Sequence, residues 1–221
     1  MTVRPLRIAH RGMPRRVREN TLPSFADALT AGADGIELDV HATTDGVVVV
    51  HNDAQLHGGV SIARATWREL RSAAEHARIE IPTLASVCDL VGERAELFVE
   101  IKGAGIEQQV VAVLRDHRGP SAIHSFDHAA IARLARLDGR LRLGLLFEER
   151  LPDVAAMLAA HGARDAWPHH SVVDGPLLEA VHGAGGRVIA WTVNDRREIA
   201  RLSALGVDGL CTDDVTLVGG S

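Results

Sequence analysis

The chain has 221 residues, of which 46% are hydrophobic and 24% charged, and its formal net charge is −5. This length and apolar content permit one sizeable core, as either a single α/β barrel or two small domains. The acidic balance gives no electrostatic case for nucleic acid, and no apolar run approaches the ~18 residues of a membrane span. We therefore expect neither a nucleic-acid partner nor stable membrane insertion.

The two cysteines indicate the redox compartment. Cys88 and Cys211 lack metal-ligand spacing and lie in apolar surroundings, which is more typical of buried thiols than of a disulfide. The N-terminal residues 1–6 contain no apolar signal segment. These features predict a cytoplasmic protein, and the sequence carries no signal for a particular oligomeric state.

The first half of the chain contains apolar runs that end on charged residues or histidines. Strands are predicted at 6–10, 35–40 and 97–101, with helices near 21–31 and 83–92. A further apolar run, 47–51, follows the second strand after only residues 43–46, which is too short for a parallel crossover. It predicts a short hairpin arm that carries His51 over the mouth of the fold.

The second half alternates regularly between strands and helices, and several helices end at glycine-containing turns. The strands are predicted at 121–125, 141–146, 165–170, 187–193 and 208–212, and the helices at 127–137, 152–161, 175–184 and 195–205. With the first three strands this makes eight parallel strands, which predicts a single (β/α)₈ TIM barrel over residues 1–221. A doubly wound open sheet is the alternative.

Charged residues recur on one face of the predicted strands. Side chains alternate across a strand, so Glu37 and Asp39 lie on the same face of the strand predicted at 35–40. Glu100 and Lys102 likewise share one face at the end of the strand predicted at 97–101. Buried charges must be paired or bind metal, since desolvating an unpaired ion costs several kcal/mol. In a TIM barrel the carboxyl ends of the strands form the active site. The pattern therefore predicts a site where these strands end.

The residue types suggest phosphoryl chemistry. Three carboxylates without cysteine favour Mg²⁺ or Ca²⁺, although Zn²⁺ remains an alternative if His10 and His51 are ligands. If the histidines are free, one can remove a proton from the nucleophile while the other protonates the departing alkoxide. Arg11 and Lys102 would then hold the phosphate oxygens as charge develops.

The ordered motifs of the chain closely resemble those of the glycerophosphodiester phosphodiesterases. They are His10-Arg11-Gly12, residues 19–25, 32–40, 44–46 and 81–84, Glu100-Ile101-Lys102, Ser125-Phe126-Asp127, and residues 191–194 and 206–209. The resemblance covers nearly the whole chain. It implies a TIM barrel that hydrolyses glycerophosphodiesters, as small-molecule substrates, to an alcohol and glycerol 3-phosphate.

The resemblance also implies roles for particular residues. These are His10 and His51 as the acid–base pair, Glu37, Asp39 and Glu100 as ligands of one divalent cation, and Arg11, Lys102, Glu19 and Trp191 as phosphate- or substrate-binding residues. Glu19 would order the site near His10 or act as a ligand.

Three other functions compete with this interpretation. A phospholipase D-like enzyme would act on lysophospholipids, and a phosphate-binding barrel would bind diesters without turnover. A Schiff-base aldolase would use Lys102, but neighbouring carboxylates favour the charged ammonium over the neutral amine that this chemistry needs.

Overall fold

The computed structural model of the chain describes residues 4–56 and 58–219. Eight parallel strands close into a barrel, because the first strand pairs with both the second and the last. The TIM-barrel prediction is confirmed, including the antiparallel extra strand β3. The strands are β1 (Leu6–His10), β2 (Gly35–Ala42), β3 (Val48–Val50), β4 (Glu96–Ile101), β5 (Ser121–Ser125), β6 (Arg142–Phe147), β7 (Asp165–Pro168), β8 (Arg187–Ala190) and β9 (Gly209–Thr212).

The described residues contain eight α-helices, and threonine or aspartate side chains cap the N-termini of all but the fourth. Their bounds are α1 (Leu22–Thr30), α2 (Trp67–Ala77), α3 (Leu84–Val91), α4 (Glu107–Arg115), α5 (His128–Leu137), α6 (Val154–His161), α7 (Gly175–Gly183) and α8 (Arg196–Leu205). The sequence prediction did not include α2 and α4. Among the residues described, no helix combines the length and apolar character that crossing a bilayer requires.

The predicted hairpin arm follows β2. Strand β3 pairs antiparallel with the end of β2, with Val50 opposite Val40 and Val48 opposite Ala42. Helix α2 and the loop before it cover the arm, and together they bury a small separate apolar cluster that includes Val49 and Leu70. The arm is therefore a packed extension of the barrel that ends at His51.

Side chains inside the barrel form layers, because inward-facing residues alternate with outward-facing ones along each strand. The middle layer is apolar and centres on Trp167, which contacts Phe98 edge-on with ring centroids 5.3 Å apart. Its members are Ile8, Phe98, Ala122, Leu146, Trp167, Ile189 and Cys211. Gly144 leaves room for the indole, since a Cβ there would lie 2.7 Å from a Trp167 ring carbon. This layer separates the two ends of the barrel interior.

Below the apolar layer, at the N-terminal end of the strands, the barrel contains an ionic network. The fully buried Asp165 carboxylate accepts hydrogen bonds of 2.7–3.2 Å from the guanidinium groups of Arg142 and Arg187. Arg187 also donates to both carboxylate oxygens of Glu96, at 2.8 and 2.9 Å. Every charge in this network has an opposite partner, and in TIM barrels this end contributes to stability.

We expect Asp165→Asn to lower the free energy of unfolding by about 3 kcal/mol, because it leaves the part-buried Arg142 guanidinium without a carboxylate and Arg187 with Glu96 alone. Denaturant unfolding would measure this loss. Glu75→Gln, which breaks an exposed helix pair with Arg71, is the matched control and should cost less than about 1 kcal/mol. Equal effects of the two substitutions would contradict a structural role for the network.

Candidate active site

A cavity of about 220 Å³ opens at the C-terminal ends of the strands, above the apolar layer. It brings together six of the residues predicted from the sequence: His10, Arg11, Glu37, Glu100, Lys102 and Trp191. His124, Phe126 and Glu148 also line it, and Trp167 and Cys211 lie at its base. The predicted convergence of several strand ends on one site is therefore present for these residues.

The turn after β1 places Arg11 at the cavity. Arg11 has a φ of 55° and Gly12 a φ of 91°, so two successive residues adopt left-handed backbone conformations. A Cβ on Gly12 would lie 2.3 Å from the Ser24 hydroxyl, which instead accepts a hydrogen bond from the amide of Met13. Only glycine fits there. The turn lets the Arg11 amide donate to the Glu37 carboxylate at 3.2 Å.

Three carboxylates are buried at the cavity wall, with 2% of Glu37, 0% of Asp39 and 7% of Glu100 exposed. Burial and the negative charges of Asp39 and Glu37 raise the pKa of Glu100 to about 8, despite the nearby Lys102 ammonium. Burial and the charge of Glu37 also raise the pKa of Asp39. Burial opposes ionisation of Glu37 too, but His124, His10 and Arg11 outweigh it and lower the pKa. Glu100 and Asp39 therefore give up their protons less readily than isolated carboxyl groups, whereas Glu37 does so more readily.

Asp39 lies against the cations of the site. Its Oδ2 is 2.9 Å from Arg11 Nε and accepts a hydrogen bond of 2.9 Å from the side-chain amide of Asn20. Lys102 Nζ lies 3.7 Å from Asp39 Oδ1 and 3.1 Å from Glu100 Oε1. Within residues 4–56 and 58–219, Asp39 Oδ1 accepts no hydrogen bond. A buried carboxylate oxygen therefore remains available for a cation.

The donor set fits a divalent cation. Ligand atoms of Glu37, Glu100 and His124 all lie within 4.8 Å of one another, and all three residues are buried. Two of the three predicted ligands, Glu37 and Glu100, belong to this group. Asp39, the third, faces Arg11 and Lys102 instead, although its unbonded Oδ1 is on the same acidic wall.

His10 forms a hydrogen-bonded chain with two residues that the sequence analysis did not assign to the site. Its Nδ1 lies 2.7 Å from Asp213 Oδ1, and Asn194 donates to the other Asp213 oxygen at 2.6 Å. Burial by itself would lower the pKa of His10, but the Asp213 hydrogen bond and the charge of Glu37 raise it above its ordinary value. Asp213 therefore fixes the ring and favours its charged form.

Three predicted residues lie at the edges of the site. Glu19 accepts a hydrogen bond of 3.2 Å from Arg11, and Trp191 donates one of 2.9 Å to the carbonyl of Trp167. His51 lines a different, more open cavity beside Arg18, and its Nδ1 lies 3.0 Å from the carbonyl of Asp53. The two histidine rings predicted to work together therefore line separate cavities.

His124 and Asp213 could have been found from strand parity. In β5, His124 occupies the same inward face as Ala122, and Asp213 follows the inward Cys211 at the end of β9. Both positions are at the carboxyl end of a strand, where functional side chains collect. Neither residue belongs to a recognisable motif, because a single histidine or aspartate in an apolar run is not distinctive.

A barrel mouth with buried carboxylates, two cations and a carboxylate-bonded histidine defines an enzyme site for an anionic substrate. Residues 10–217 match the Glycerophosphoryl diester phosphodiesterase family. The chain therefore belongs to this family, and the resemblance stated from its motifs is confirmed.

Named relatives and solved structures agree with this assignment. The chain is 31% identical to a glycerophosphodiester phosphodiesterase of Caldanaerobacter subterraneus, over 96% of this chain and 95% of the relative. A putative glycerophosphoryl diester phosphodiesterase of Silicibacter pomeroyi superposes with a TM-score of 0.87 at 26% identity, covering 97% and 92% of the two chains. A phosphodiesterase of Oleispira antarctica, solved with its product sn-glycerol-3-phosphate, gives 0.85 at 26% identity, covering 95% and 93%.

We expect Asp213→Asn to lower the pKa of His10 by removing the carboxylate that stabilises its charged ring. If His10 works as a base, the acid limb of kcat/KM against pH lies at this pKa; if it works as an acid, the alkaline limb does. The limb that belongs to His10 should therefore move to lower pH in either case.

Asp214→Asn is the control for that profile. It removes the same charge one residue further along, where the carboxylate accepts hydrogen bonds from Thr216 rather than contacting His10. Its profile should match that of the unmodified enzyme. Unmoved limbs in Asp213→Asn would show that the His10–Asp213 pair does not control the titration.

Proposed function

We propose that this enzyme hydrolyses glycerophosphodiesters to an alcohol and glycerol 3-phosphate, with one divalent cation and acid–base help from His10 and His51. The observation that carries the proposal is the cavity where His10, Arg11 and Lys102 face buried carboxylates. The product bound to the Oleispira antarctica phosphodiesterase supports the same chemistry here. We also propose that residues 1–221 act as one domain in the cytoplasm, which agrees with buried free thiols at Cys88 and Cys211.

Arg11 and Lys102 are the proposed phosphate ligands. Both border the cavity, and their side chains keep 19% and 26% of their surface exposed while contacting Asp39. The planar guanidinium can bind two phosphate oxygens at once, and the ammonium adds a compact charge. Glu19 holds one side of the Arg11 guanidinium, which fixes the direction of its remaining donors.

Glu37, Asp39 and Glu100 are the proposed ligands of the divalent cation. When bound, the cation would neutralise charge on the phosphate and polarise the phosphorus–oxygen bonds. Such an all-oxygen set would select Mg²⁺ or Ca²⁺, as the sequence predicts. The raised pKa of Glu100 and the unbonded Asp39 Oδ1 support a cation at this wall.

His10 and His51 are proposed to move the protons. One ring takes a proton from the attacking water as its oxygen bonds to phosphorus, and the other gives a proton to the alcohol oxygen as its bond to phosphorus breaks. The cavity position of His10 and its bond to Asp213 support its part. His51 follows β3, and its amide donates to the carbonyl of Asp39, which keeps its backbone beside the acidic wall.

Trp191 is proposed to pack against the non-phosphate part of the substrate. Its ring meets the half-exposed Phe126 edge-on, with centroids 5.5 Å apart, so the two form an aromatic side of the cavity. Its N–H is occupied by the Trp167 carbonyl, which leaves the ring face for the glycerol or alcohol moiety.

We expect chelation to abolish hydrolysis of a panel of glycerophosphodiesters, and a single added divalent cation to restore it. Lysophosphatidylcholine belongs in the panel, because turnover of this lysophospholipid without turnover of the glycerophosphodiesters would favour the phospholipase D-like alternative. Full activity after complete metal removal would contradict the cation requirement. Diester binding without product would support a non-catalytic barrel.

We expect Lys102→Ala to lower kcat/KM by about 10²–10³-fold, the scale of losing one donor to transition-state charge. The exposed Arg15→Ala is the matched control, because it removes a positive charge that follows the turn after β1 and does not border the cavity. A Lys102→Ala enzyme with unchanged turnover and lower thermal stability would instead assign the lysine a structural role.

We expect His10→Ala and His51→Ala each to cost at least about 10²-fold in kcat/KM with a natural diester. A p-nitrophenyl phosphodiester needs no protonation of its leaving group, so it should rescue the variant that lacks the acid and leave the other inactive. Rescue of neither variant would show that at least one histidine does not transfer a proton.

A further inference from the structure

We infer that His124 is a nitrogen ligand of the cation held by Glu37 and Glu100, so that the site prefers a divalent transition metal such as Zn²⁺ or Co²⁺ over Mg²⁺ or Ca²⁺. The inference rests on the proposed cation dependence, and it replaces the Mg²⁺ or Ca²⁺ preference that the three carboxylates alone would give. It concerns a residue to which neither the family motifs nor the sequence analysis assigns a role.

His124 lies beside the two carboxylates. β5 neighbours β4, and His124 is directly opposite Glu100 in their pairing. Its Nε2 lies 3.8 Å from Glu37 Oε1, and ligand atoms of the three residues all lie within 4.8 Å of one another. Metal bonds to nitrogen and oxygen are about 2.0–2.2 Å long, so one ion can bridge the 3.8 Å between His124 and Glu37, and a small side-chain rotation would bring Glu100 to the same ion.

His124 is incompletely paired. The residue is 1% exposed, and its Nδ1 makes no hydrogen bond with any residue in the part of the chain that the structure describes, while its Nε2 has only the Glu37 carboxylate as a charged neighbour there. Its separation from Glu37 is too long for a hydrogen bond. A buried imidazole normally has a partner, so one that reaches the cavity wall incompletely paired is available for a ligand.

The ring orientation is fixed by packing. His124 stacks on Trp167, with ring centroids 4.0 Å apart and an angle of 6° between the planes. Trp167 in turn lies in the apolar layer against Phe98. Stacking therefore supplies the positioning that a second hydrogen bond often gives to a metal-binding histidine.

The donor chemistry sets the metal preference. Mg²⁺ and Ca²⁺ prefer oxygen ligands, whereas imidazole nitrogen suits Zn²⁺ and its transition-metal neighbours. The competing interpretation is that His124 serves only as a positive partner for Glu37. That role would require no selectivity among divalent cations, so metal binding distinguishes the two.

The test measures metal binding directly, by calorimetry on metal-free protein with Zn²⁺, Co²⁺, Mg²⁺ and Ca²⁺ titrated separately. His124→Gln replaces the ring nitrogen with an amide oxygen. We expect it to weaken Zn²⁺ and Co²⁺ binding by about 100-fold, the upper end of the loss seen for outer-shell changes, because a direct ligand is removed. Mg²⁺ and Ca²⁺ binding should stay the same or strengthen.

His169→Gln is the control for adventitious binding, because His169 and its neighbour His170 form a half-buried histidine pair with ring centroids 4.3 Å apart. It should leave the affinity for Zn²⁺ at the barrel site unchanged. Equal loss in both variants, or unchanged Zn²⁺ affinity in His124→Gln, would overturn the inference.

A measurement on the unmodified protein covers failure of the variant to fold. A histidine bound to Co²⁺ gives a strongly shifted ring N–H signal in proton NMR, so its absence from the Co²⁺ complex would also overturn the inference. Hydrolysis is scored separately. Metal binding that depends on His124 without diester turnover would contradict the proposed function alone, and turnover without such binding would contradict the inference alone.

Discussion

The crowding of three buried carboxylates inside the barrel mouth is the constraint on which the site depends. The register of β2 and β4 sets Asp39 directly opposite Glu100, and Glu37 lies two residues earlier on the same inward face. Three carboxylates buried this close together repel one another when ionised. This repulsion and burial together raise the pKa of Glu100 to about 8. Arg11 and Lys102 reduce this repulsion, and the proposed metal ion would reduce it further.

Buried polar groups are fully paired at one end of the barrel interior and incompletely paired at the other. At the N-terminal end, Asp165 is saturated by two guanidinium groups, so the network has no capacity for a ligand. At the C-terminal end, Asp39 Oδ1 and His124 Nδ1 have no hydrogen-bond partner within the described residues. The apolar layer around Trp167 keeps the two ends apart. Buried polar groups without hydrogen-bond partners distinguish a binding site from a structural ion network, in which every charge is paired.

The sequence was most informative where local pattern and position coincide. Apolar runs and their charged ends predicted the barrel and the cluster of Glu37, Glu100 and Lys102, because strand parity and a common barrel end leave little freedom. Packing between elements was not predictable. The stack of His124 on Trp167 joins residues 43 positions apart, and the His10–Asp213 bond joins residues 203 apart. Helix α4 has no side-chain cap at its N-terminus and so no clear start signal, whereas the capping box of Thr66 and Glu69 marks the start of α2 in the sequence and was missed.

The hairpin arm shows how the proposed two-histidine chemistry is constrained. Its backbone is tied on both sides, since the amide of Val50 donates to the carbonyl of Pro82 and that of His51 to the carbonyl of Asp39. The arm is therefore fixed beside the acidic wall, while the His51 ring, among the described residues, is held by the backbone of Asp53 alone. In the proposed mechanism, a fixed arm leaves rotation of the His51 side chain as the motion that would bring its ring towards the phosphate. Such rotamer motion is faster than movement of a packed strand, so the proposal does not call for the arm to open.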